Sequence, residues 1–589
     1  MTEAVADSAP APTGAAAPPG ASRPSDAAGG APAPAVNRWS RLWPPIVISV
    51  LIAAVLAAAA ILIARATPHG PGLSTDSVQY LYAARSLASG EGLVMLPMEG
   101  RRVPMTHFPP LYPTLLAALS LTGEDVPNVA RWLNVALLPA NLLLIITIVR
   151  RCGASPRAAV VAGALALACP ALFRTHLMLW SEPLFIALTL GGLLALSQGI
   201  ASGNGRWLCG GSLLFGLAAA TRYAGAAGVA LVPIAVAWWG PATWTRGRRV
   251  FEALATGATA ALPPAACAVR NWIVGGTATN RSLVWHPLAE LHWQQASSTV
   301  TEWMFPTAMP WGVRVVVCGI IVTAAAVAVF ILRRRERTAR GREPGVANAV
   351  SAAGDAAPER APVVFRALLL YAALYAALLV FTLAFVDAYM PLDDRILVPL
   401  YPAALAVAFR AARRIGDGLG GGRAWRAVGF ACAAAVFVPH AVETREHYEV
   451  SREHGLGYAR QAWMGSRVGR RLERAYARVP VFTNSQAAIY VRTGRVVRPL
   501  PIERGRTTGR ANLNYEAELR AVRDELVAQR GVVVILRRFA ARGRDTEAYY
   551  RDVLGLELVF EDVNAAIYRV KGPGPSTSAP ADSDDEPEE

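Results

Sequence analysis

Long stretches without a charged residue recur along this 589-residue chain and limit what it can fold into. The first, 42–64, has 23 residues, enough for a helix to cross a hydrocarbon core of about 30 Å. It starts too far from the N-terminus for a simple cleaved signal peptide. Several others are shorter than the roughly 20 residues of a full span, so we predict ten to thirteen spanning helices, with eleven as the central number. The ten later windows are 132–149, 158–173, 183–205, 207–221, 223–245, 253–269, 315–332, 367–386, 396–409 and 427–442.

The composition agrees with a membrane protein. Hydrophobic residues make up 53% of the chain, and its mean hydropathy of +0.33 is above that of soluble globular chains. The net charge of +16 is carried by arginine, since Lys571 is the only lysine. These arginines separate the apolar windows and do not gather with aromatic residues, which argues against nucleic-acid binding. The six cysteines form no CxxC pair, so neither a disulfide framework nor a zinc site is indicated.

The arginines also predict an orientation. With a cytoplasmic N-terminus, the inner loops hold most of the loop arginines, as the positive-inside bias requires. These loops are 150–157, 198–206, 244–249, 333–366 and 410–426. An odd number of spans then places three long segments outside, namely 67–130, 270–311 and the chain from 443 onward.

Four parts follow from this pattern. Residues 1–37, rich in Ala, Pro, Gly and Ser, are predicted to be a disordered cytoplasmic N-terminus. Residues 38–442 form the membrane domain, which includes a cytoplasmic linker at 333–362. Residues 443–571 form a small extracytoplasmic α/β domain, and 572–589 form a disordered acidic tail.

Periodicity supports the α/β prediction for the C-terminal part. The stretches 479–484 and 531–538 are typical of short buried strands, and 514–529 has helical periodicity. The stretches 556–562 and 565–570 predict a closing hairpin.

The outer segment between the first two spans has a pattern of its own. From 75 to 113 it runs TDSVQYLYAARSLASGEGLVMLPMEGRRVPMTHFPPLYP. Asp76 opens it, and Tyr80, Tyr82 and Arg85 follow at helical spacing. Glycines then break the run, which closes on HFPPLYP. We predict an amphipathic helix, a turn and a second short helix on the membrane surface.

Ionisable residues near span ends are costly and often mark functional sites. Asp76 follows the first span, Glu182 opens the fourth in LMLWSEPLF, and Arg222 lies between the fifth and sixth in ATRYAG. Arg395 precedes the tenth in DAYMPLDDRILVPLYP, together with three acids. The predicted orientation puts all of them on the outer side, which indicates one site at the outer interface. The three acids are Asp387, Asp393 and Asp394.

Each candidate also has a purely structural alternative. Asp76 can cap the surface helix, and Glu182 before a proline can be a first-turn acid that favours the helix dipole. Arg395 can anchor the interface or pair with a neighbouring aspartate. Arg222 can anchor a helix end, and His107 can be a packing residue. His286 and His292 match no zinc signature.

The order of these motifs resembles the GT-C superfamily of glycosyltransferases. THFPPLYPTLLAAL after an acid-bearing first outer loop, SEPLF opening a later span, a TRY element and DRILVPLYP near the last spans carry the resemblance. The chain is most similar to family 39, which includes protein O-mannosyltransferases and the lipid A aminoarabinose transferase. The resemblance covers residues 40 to 440, and an outer C-terminal α/β domain is also common in bacterial relatives.

The resemblance implies a predominantly α, polytopic GT-C membrane fold with a small extracytoplasmic α/β domain. It implies an inverting glycosyltransferase that moves a hexosyl or pentosyl group from a polyprenyl-phosphate donor to a lipid, glycan or protein acceptor of the cell envelope. The place would be the outer face of the bacterial cytoplasmic membrane. The family's first-loop acid falls on Asp76. Many relatives carry two adjacent acids there, whereas this chain has Asp76–Ser77.

Residue roles follow from the resemblance. Asp76 is the expected base, and a lipid phosphate that leaves as an anion is best met by arginine. No cofactor is established, although Asp76 and Glu182 are a candidate pair for a divalent cation, Mg or Mn. The donor-phosphate candidates are Arg395, Arg222 and Arg85, and the sugar or acceptor candidates are Glu182, Tyr80, Tyr82, His107 and Tyr112.

Three alternatives stay open. An oligosaccharide transferase or ligase of GT-C type would move a whole glycan. A membrane transporter of a glycoconjugate could also use buried acids and arginines, but it would be expected to show internal repeats, and we find none between the two halves. A non-catalytic scaffold would not need Asp76 or the long first outer segment.

Overall fold

The computed structural model describes residues 38–98, 101–281, 283–342, 362–420, 422–504, 510–537 and 546–571. The predicted disordered ends, 1–37 and 572–589, and most of the predicted linker lie outside these residues. Contacts divide the chain into two units, Met1–Val47 and Ile48–Glu589. Everything from the second helical turn of the first apolar window onward therefore belongs to the larger unit.

Each of the eleven apolar windows is mostly helical. In chain order the helices of this region are α1 (Arg38–Ala66), α2 (Thr75–Ala88), α3 (Leu111–Ser120), α4 (Val126–Arg151), α5 (Pro156–Ala168), α6 (Pro170–Leu177), α7 (Glu182–Ser202), α8 (Gly205–Thr221), α9 (Ala226–Trp239), α10 (Arg246–Gly275), α11 (Glu290–Glu302), α12 (Trp311–Arg342), α13 (Val363–Phe385), α14 (Asp394–Leu397), α15 (Tyr401–Gly418) and α16 (Arg423–His454). A 3₁₀ turn, Tyr223–Gly225, precedes α9, and another, Val398–Leu400, joins α14 to α15.

Fewer of these helices than predicted can cross a membrane unaided. Among the described residues, seven are long and apolar enough, or eight if α5 and α6, bent by 57°, count as one span. The predicted windows at 207–221, 223–245 and 253–269 fall outside that set. The first lies on α8, which has only 17 residues, and the second on α9, which is apolar but short. The third lies on α10, which begins with three arginines in four residues. The chain is a multi-pass membrane protein.

Small residues let α7 and α8 pack closely. A Cβ on Gly211 of α8 would lie 2.5 Å from the backbone nitrogen of Leu196, and one on Gly199 of α7 would lie 2.7 Å from that of Leu208. Such contacts are possible only where a glycine lets two backbones approach, as at many helix interfaces in membranes. This packing fixes the start of α7 against the end of α8.

The segment 67–130, called the first outer segment after its predicted orientation, contains a hairpin that the sequence did not predict. Between α2 and α3, strand β1 (Val94–Met98) pairs antiparallel with β2 (Arg101–Pro104), with an irregular register between Met95 and Met98. The two helices were predicted, but the stretch between them was expected to be a turn. The strands were not predicted because each contains a proline, and proline within an apolar run argues against a strand.

The C-terminal part contains a five-stranded sheet, as the fold prediction required. Its strands are β3 (Val481–Thr483), β4 (Arg498–Pro499), β5 (Val532–Leu536), β6 (Leu556–Glu561) and β7 (Ala565–Val570), in the order β4-β3-β5-β7-β6. The first three are mutually parallel and the last two form an antiparallel hairpin. Its helices are α17 (Gln461–Met464), α18 (Arg467–Arg474), α19 (Gln486–Thr493), α20 (Tyr515–Ala528) and α21 (Glu547–Val553). The predicted boundary at 442/443 falls inside α16, which continues to His454.

The two faces of this sheet belong to different hydrophobic clusters. Val532 and Val534 of β5 belong to the cluster that contains Tyr80 of α2 and Tyr112 of α3. Val533, between them, belongs to a second cluster with residues of α20 and α21. Side chains alternate across a strand, so one face covers the first outer segment and the other covers the domain's own helices.

Candidate active site

Asp76 lies at the start of α2, but it does not cap the helix. Ser74 is the N-cap, and its hydroxyl accepts a hydrogen bond from the Ser77 backbone N–H. The Asp76 carboxylate instead accepts a hydrogen bond from Nη1 of Arg395 at 2.6 Å. Its side chain is 32% exposed, so a substrate can reach it.

Glu182 is the first residue of α7, and its side chain is completely buried. Its carboxylate accepts hydrogen bonds from Nε of Arg395 and pairs with Nη1 of Arg222. Arg222 also donates to the Ser181 hydroxyl at 3.3 Å. Because a buried carboxylate needs paired positive charge, Glu182 is the centre that holds both arginines.

Buried amides fix the segment that carries Glu182. Asn134 of α4 donates to the carbonyls of His176 and Met178, at 3.0 and 2.8 Å. Asn141, two turns further on, donates to the Pro183 carbonyl at 3.0 Å. The two Asn134 bonds satisfy carbonyls at the end of α6 that have no helical partner, and the Asn141 bond ties the first turn of α7 to α4.

The four charged groups form one balanced cluster. Two carboxylates, Asp76 and Glu182, face two guanidinium groups, Arg222 and Arg395, whose side chains are 15% and 17% exposed. The Arg395 guanidinium also stacks on Trp180, 4.7 Å from the ring centroid. Both arginines are thus engaged by the protein itself, and the cluster carries no surplus positive charge.

The acids next to Arg395 have other roles. Asp393 caps α14 by accepting a hydrogen bond from the Ile396 N–H at 3.3 Å. Asp394 pairs with Arg174 of α6 at 3.1 Å. Arg395 therefore does not pair with its sequence neighbours, which was the structural alternative. Burial raises the pKa of Asp387, which lies before α14.

Aromatic side chains adjoin the cluster. Tyr80 is buried, its hydroxyl lies 3.2 Å from that of Ser181, and burial raises its pKa to about 12. Its ring meets those of Phe108 and Tyr112 edge-on, each at 5.2 Å between centroids. His107 packs against Phe108 at 4.9 Å. Burial, with the positive charge of Arg281, lowers the pKa of His107 to about 4, so it is a neutral ring at physiological pH.

Two predicted residues lie elsewhere. Arg85 is nine residues beyond Asp76 on α2, about 13 Å along the axis, and it pairs with Asp125 at 2.9 Å. Tyr82 meets Tyr490 of the C-terminal domain edge-on at 5.4 Å. The structure therefore brings together Asp76, Glu182, Arg222, Arg395 and Tyr80, but it places neither Arg85 nor Tyr82 in that cluster.

One candidate was missed by the sequence analysis. The Arg281 guanidinium lies over the Tyr223 ring, 5.9 Å from its centroid, and its buried Nε has no hydrogen-bond partner among the residues that the structure describes. The Tyr223 hydroxyl donates to the carbonyl of Thr106, next to His107. A single arginine in the segment 270–311, which was predicted to lie outside, belongs to no motif, so only folding identifies it.

The pair of acids does not fit a bound divalent cation. Arg395 lies against the carboxylates of both Asp76 and Glu182. Among the described ranges, no three His, Cys, Asp or Glu side chains are grouped so that they could hold a metal ion. A cation shared by the two acids would have to displace Arg395, so we derive no step through Mg or Mn.

No protein-family model matches the chain, and no curated protein matches it in sequence. Solved structures do resemble it. The apo crystal structure of ArnT from Cupriavidus metallidurans is 14% identical, with 88% of this chain and 98% of that chain covered and a TM-score of 0.50. The crystal structure of ArnT from the same organism bound to undecaprenyl phosphate is 14% identical, with 88% of this chain and 97% of that chain covered and a TM-score of 0.48. The cryo-EM structure of the arabinofuranosyltransferase AftD from Mycobacteria is 15% identical, with 88% of this chain but 40% of that chain covered and a TM-score of 0.49.

At such identities the likeness shows the fold alone. Only the apo ArnT match among these three reaches a TM-score of 0.50, and it extends over nearly the whole of both chains. The fold class implied by the order of the motifs is confirmed: this chain has the GT-C fold of membrane glycosyltransferases.

Proposed function

We propose that this chain is an inverting glycosyltransferase that moves a sugar from a polyprenyl-phosphate donor to a lipid, glycan or protein acceptor. The observation that carries the proposal is the cluster of Asp76, Glu182, Arg222 and Arg395 at one end of the bundle. Four separate segments contribute to it. Burying two acids and two arginines beside a membrane is costly, and such groups are most readily explained by chemistry there.

Asp76 is the proposed base, because it is the more exposed of the two acids. It accepts the proton of the acceptor's hydroxyl or amine as the oxygen or nitrogen attacks C1 of the donor sugar. The C1–O bond to the phosphate breaks, and its electron pair leaves with the polyprenyl phosphate. Attack opposite the leaving group inverts the anomeric centre. A positioned base of this kind is typically worth about 10²–10⁴-fold in rate.

Arg395 is the proposed positioning group for that base. It donates to Asp76 from Nη1 and to Glu182 from Nε, so the planar guanidinium fixes the distance between the two acids. Glu182, held in turn by Arg222, is the buried counter-charge. Tyr80 and Tyr112 border this cluster and are proposed to line the sugar pocket together with His107.

Arg281 is the proposed partner of the departing phosphate. Arg222 and Arg395 are already neutralised by carboxylates, so they have no surplus charge for an anion. Arg281 has no ion pair within the described part of the chain, and its charge and that of Asp76 both act on the pKa of His107. A guanidinium with free donors is suited to phosphate oxygens.

The proposed site faces the extracytoplasmic side. Glu182 begins α7, Arg222 ends α8 and Arg395 begins the segment that leads into α15, so all three lie at helix ends on the same side. The arginine-rich loops 150–157 and 244–249 lie at the opposite ends of the neighbouring helices. The positive-inside bias assigns those loops to the cytoplasm.

The test uses the full-length protein in nanodiscs and a panel of radiolabelled polyprenyl-phosphate sugars. We expect the wild type to consume one donor and Asp76→Asn to lose about 10²–10⁴-fold in rate. Asp125→Asn is the matched control, because it removes an exposed carboxylate that pairs with Arg85. Wild-type rates in Asp76→Asn would contradict the assignment of the base.

Other outcomes select the alternatives. Turnover of diphosphate-linked oligosaccharides alone would favour an oligosaccharide transferase. Solute uptake into proteoliposomes without donor turnover would favour a transporter.

The phosphate assignment has a separate test. Arg281→Gln should raise the KM for the donor roughly ten- to a hundred-fold, because one charge-assisted hydrogen bond contributes roughly 1.5–3 kcal/mol. Arg102→Gln is the control, since Arg102 is 67% exposed and pairs with Glu91 on the hairpin side. An unchanged donor KM in Arg281→Gln would contradict the assignment.

A further inference from the structure

The start of the α2 helix is tied to the C-terminal domain by main-chain bonds. The Tyr458 N–H donates to the Leu73 carbonyl at 2.8 Å, and the Leu73 N–H donates to the Leu456 carbonyl at 3.3 Å. On its other side, Gly72 pairs with the segment that leads to Glu182, with a 2.8 Å bond from its N–H to the Leu177 carbonyl. Residues 72–73 therefore lie between two short backbone segments, 177–179 and 456–458, and form an isolated bridge with each.

Two glycines make this arrangement possible. Gly457 has φ +60°, and a Cβ there would lie 2.0 Å from the Leu73 carbonyl oxygen. A Cβ on Gly72 would lie 2.3 Å from the Met178 sulfur and 2.6 Å from Cβ of Leu456. Neither position accepts a larger residue without moving the backbone, so the close approach depends on both.

One tyrosine hydroxyl extends the tie to the residue beside Asp76. The Tyr458 hydroxyl lies 3.1 Å from the Thr75 hydroxyl. It also accepts a hydrogen bond from the Ser485 hydroxyl at 3.3 Å. Ser485 is buried and directly precedes α19, so the interaction leads from the core of the C-terminal domain to the first turn of α2.

The other end of α2 has a second tyrosine contact. Arg85 donates to the Tyr490 hydroxyl at 3.4 Å. Tyr490 belongs to the same domain and lies on α19. Tyr458 contacts the start of α2, whereas Tyr490 contacts Arg85 near its end. Arg85 is about 13 Å along the helix axis from Asp76. The chain thus contains its own matched comparison.

We infer that Tyr458 is a positioning residue for Asp76, and that the C-terminal domain is part of the catalytic apparatus. The Thr75–Tyr458 contact fixes the first turn of α2 from outside, while Arg395 fixes the Asp76 carboxylate from inside. The role in catalysis depends on the proposed function, whereas the ordering of the turn does not. The catalytic role of Tyr458 and its ordering of the first turn can therefore be refuted separately.

The first measurement is hydrogen–deuterium exchange of the full-length protein in nanodiscs. Tyr458→Phe should speed exchange of the amides at 77–80, which are hydrogen-bonded in the first turns of α2; those of Ser77 and Val78 donate to the Ser74 hydroxyl and carbonyl. Tyr490→Phe should leave those amides unchanged. Each variant removes a single hydroxyl from the same interface, so a general loosening of the domain would affect both alike. Unchanged exchange at 77–80 in Tyr458→Phe would overturn the inference.

The second measurement is a kinetic cycle. Tyr458→Phe should lower kcat roughly three- to ten-fold, the effect of losing one hydrogen bond, with the donor KM unchanged. In the Asp76→Asn background the same substitution should have no further effect, because no base remains to be positioned. Equal losses in both backgrounds would overturn the positioning role.

The controls separate the positioning role of Tyr458 from the proposed glycosyltransferase activity. Tyr490→Phe should keep the wild-type kcat. If the wild type turns over no donor, the proposed function fails, and hydrogen exchange still decides whether Tyr458 orders the first turn. If the wild type is active and Tyr458→Phe matches it in both kcat and exchange, the inference fails while the proposed function stands.

Discussion

Removing the buried charge of Glu182 is the most informative single perturbation of this protein. Its side chain is fully buried and is held by Arg222 and Arg395. Glu182→Gln keeps the size of the side chain but leaves two largely buried guanidinium groups with one carboxylate, that of Asp76. The substitution therefore tests whether the four charges form one interdependent unit.

The magnitude follows from the burial of the cluster. Breaking a buried ion pair by neutralising one partner typically costs about 3–5 kcal/mol, because the remaining charge stays buried without compensation. Asp417→Asn breaks the exposed pair of Arg413 and Asp417, whose side chains are 51% and 68% exposed. Exposed pairs are worth about 0–1 kcal/mol. The two neutralisations should thus differ several-fold in their effect on the free energy of unfolding.

The assay is chemical denaturation in mixed micelles, monitored by tryptophan fluorescence. It compares the wild type, the single variants Glu182→Gln, Arg222→Gln and Asp417→Asn, and the double variant Glu182→Gln/Arg222→Gln. The double variant removes one charge of each sign. It should be more stable than the sum of its single substitutions implies, by about 0.5–3 kcal/mol. If Glu182→Gln costs no more than Asp417→Asn, or if the double variant is additive, the cluster does not act as we describe.

Three further outcomes are expected. Burial lowers the pKa of His107 to about 4 from 6.5, so its contribution to stability is fully present above pH 6.5 and is lost as pH falls toward 4; His107→Gln should flatten that part of the stability profile measured by denaturation. Gly457→Ala should destabilise the protein more than Gly494→Ala in thermal unfolding, because both have positive φ but only a Cβ at 457 meets the Leu73 carbonyl, and equal shifts would contradict this. The buried Tyr112 hydroxyl has no hydrogen-bond partner among the described residues, so Tyr112→Phe should not lower the melting temperature, and a rise in donor or acceptor KM would identify a substrate contact.

Much of the architecture could be predicted from the sequence because hydropathy is a local property. Every predicted apolar window is mostly helical, and the strands at 481–483, 532–536 and 556–570 lie where short apolar runs indicated them. The count of spans was less accurate. Charge-free windows such as 207–221 identify buried helices, but they do not tell a full span from a helix packed among others.

The sequence identified the residues of the candidate site better than it identified their contacts. Asp76, Glu182, Arg222 and Arg395 stand out because charge beside an apolar window is rare, and the structure brings all four together. Their pairing was not predictable, because Asp76 and Arg395 are 319 residues apart and meet only when several helices pack.

What only the tertiary structure decided is which polar groups remain free and which are already engaged. Arg85 had the same helical spacing as the tyrosines of α2, yet it pairs with Asp125, while Arg281 had no pattern and carries a buried nitrogen without a partner in the described residues. Tyr458 likewise acquires its place beside Thr75 only through the packing of the C-terminal sheet. A sequence determines which segments leave water, since that depends on each side chain; ion pairs and hydrogen bonds depend on distances that exist only in the folded chain.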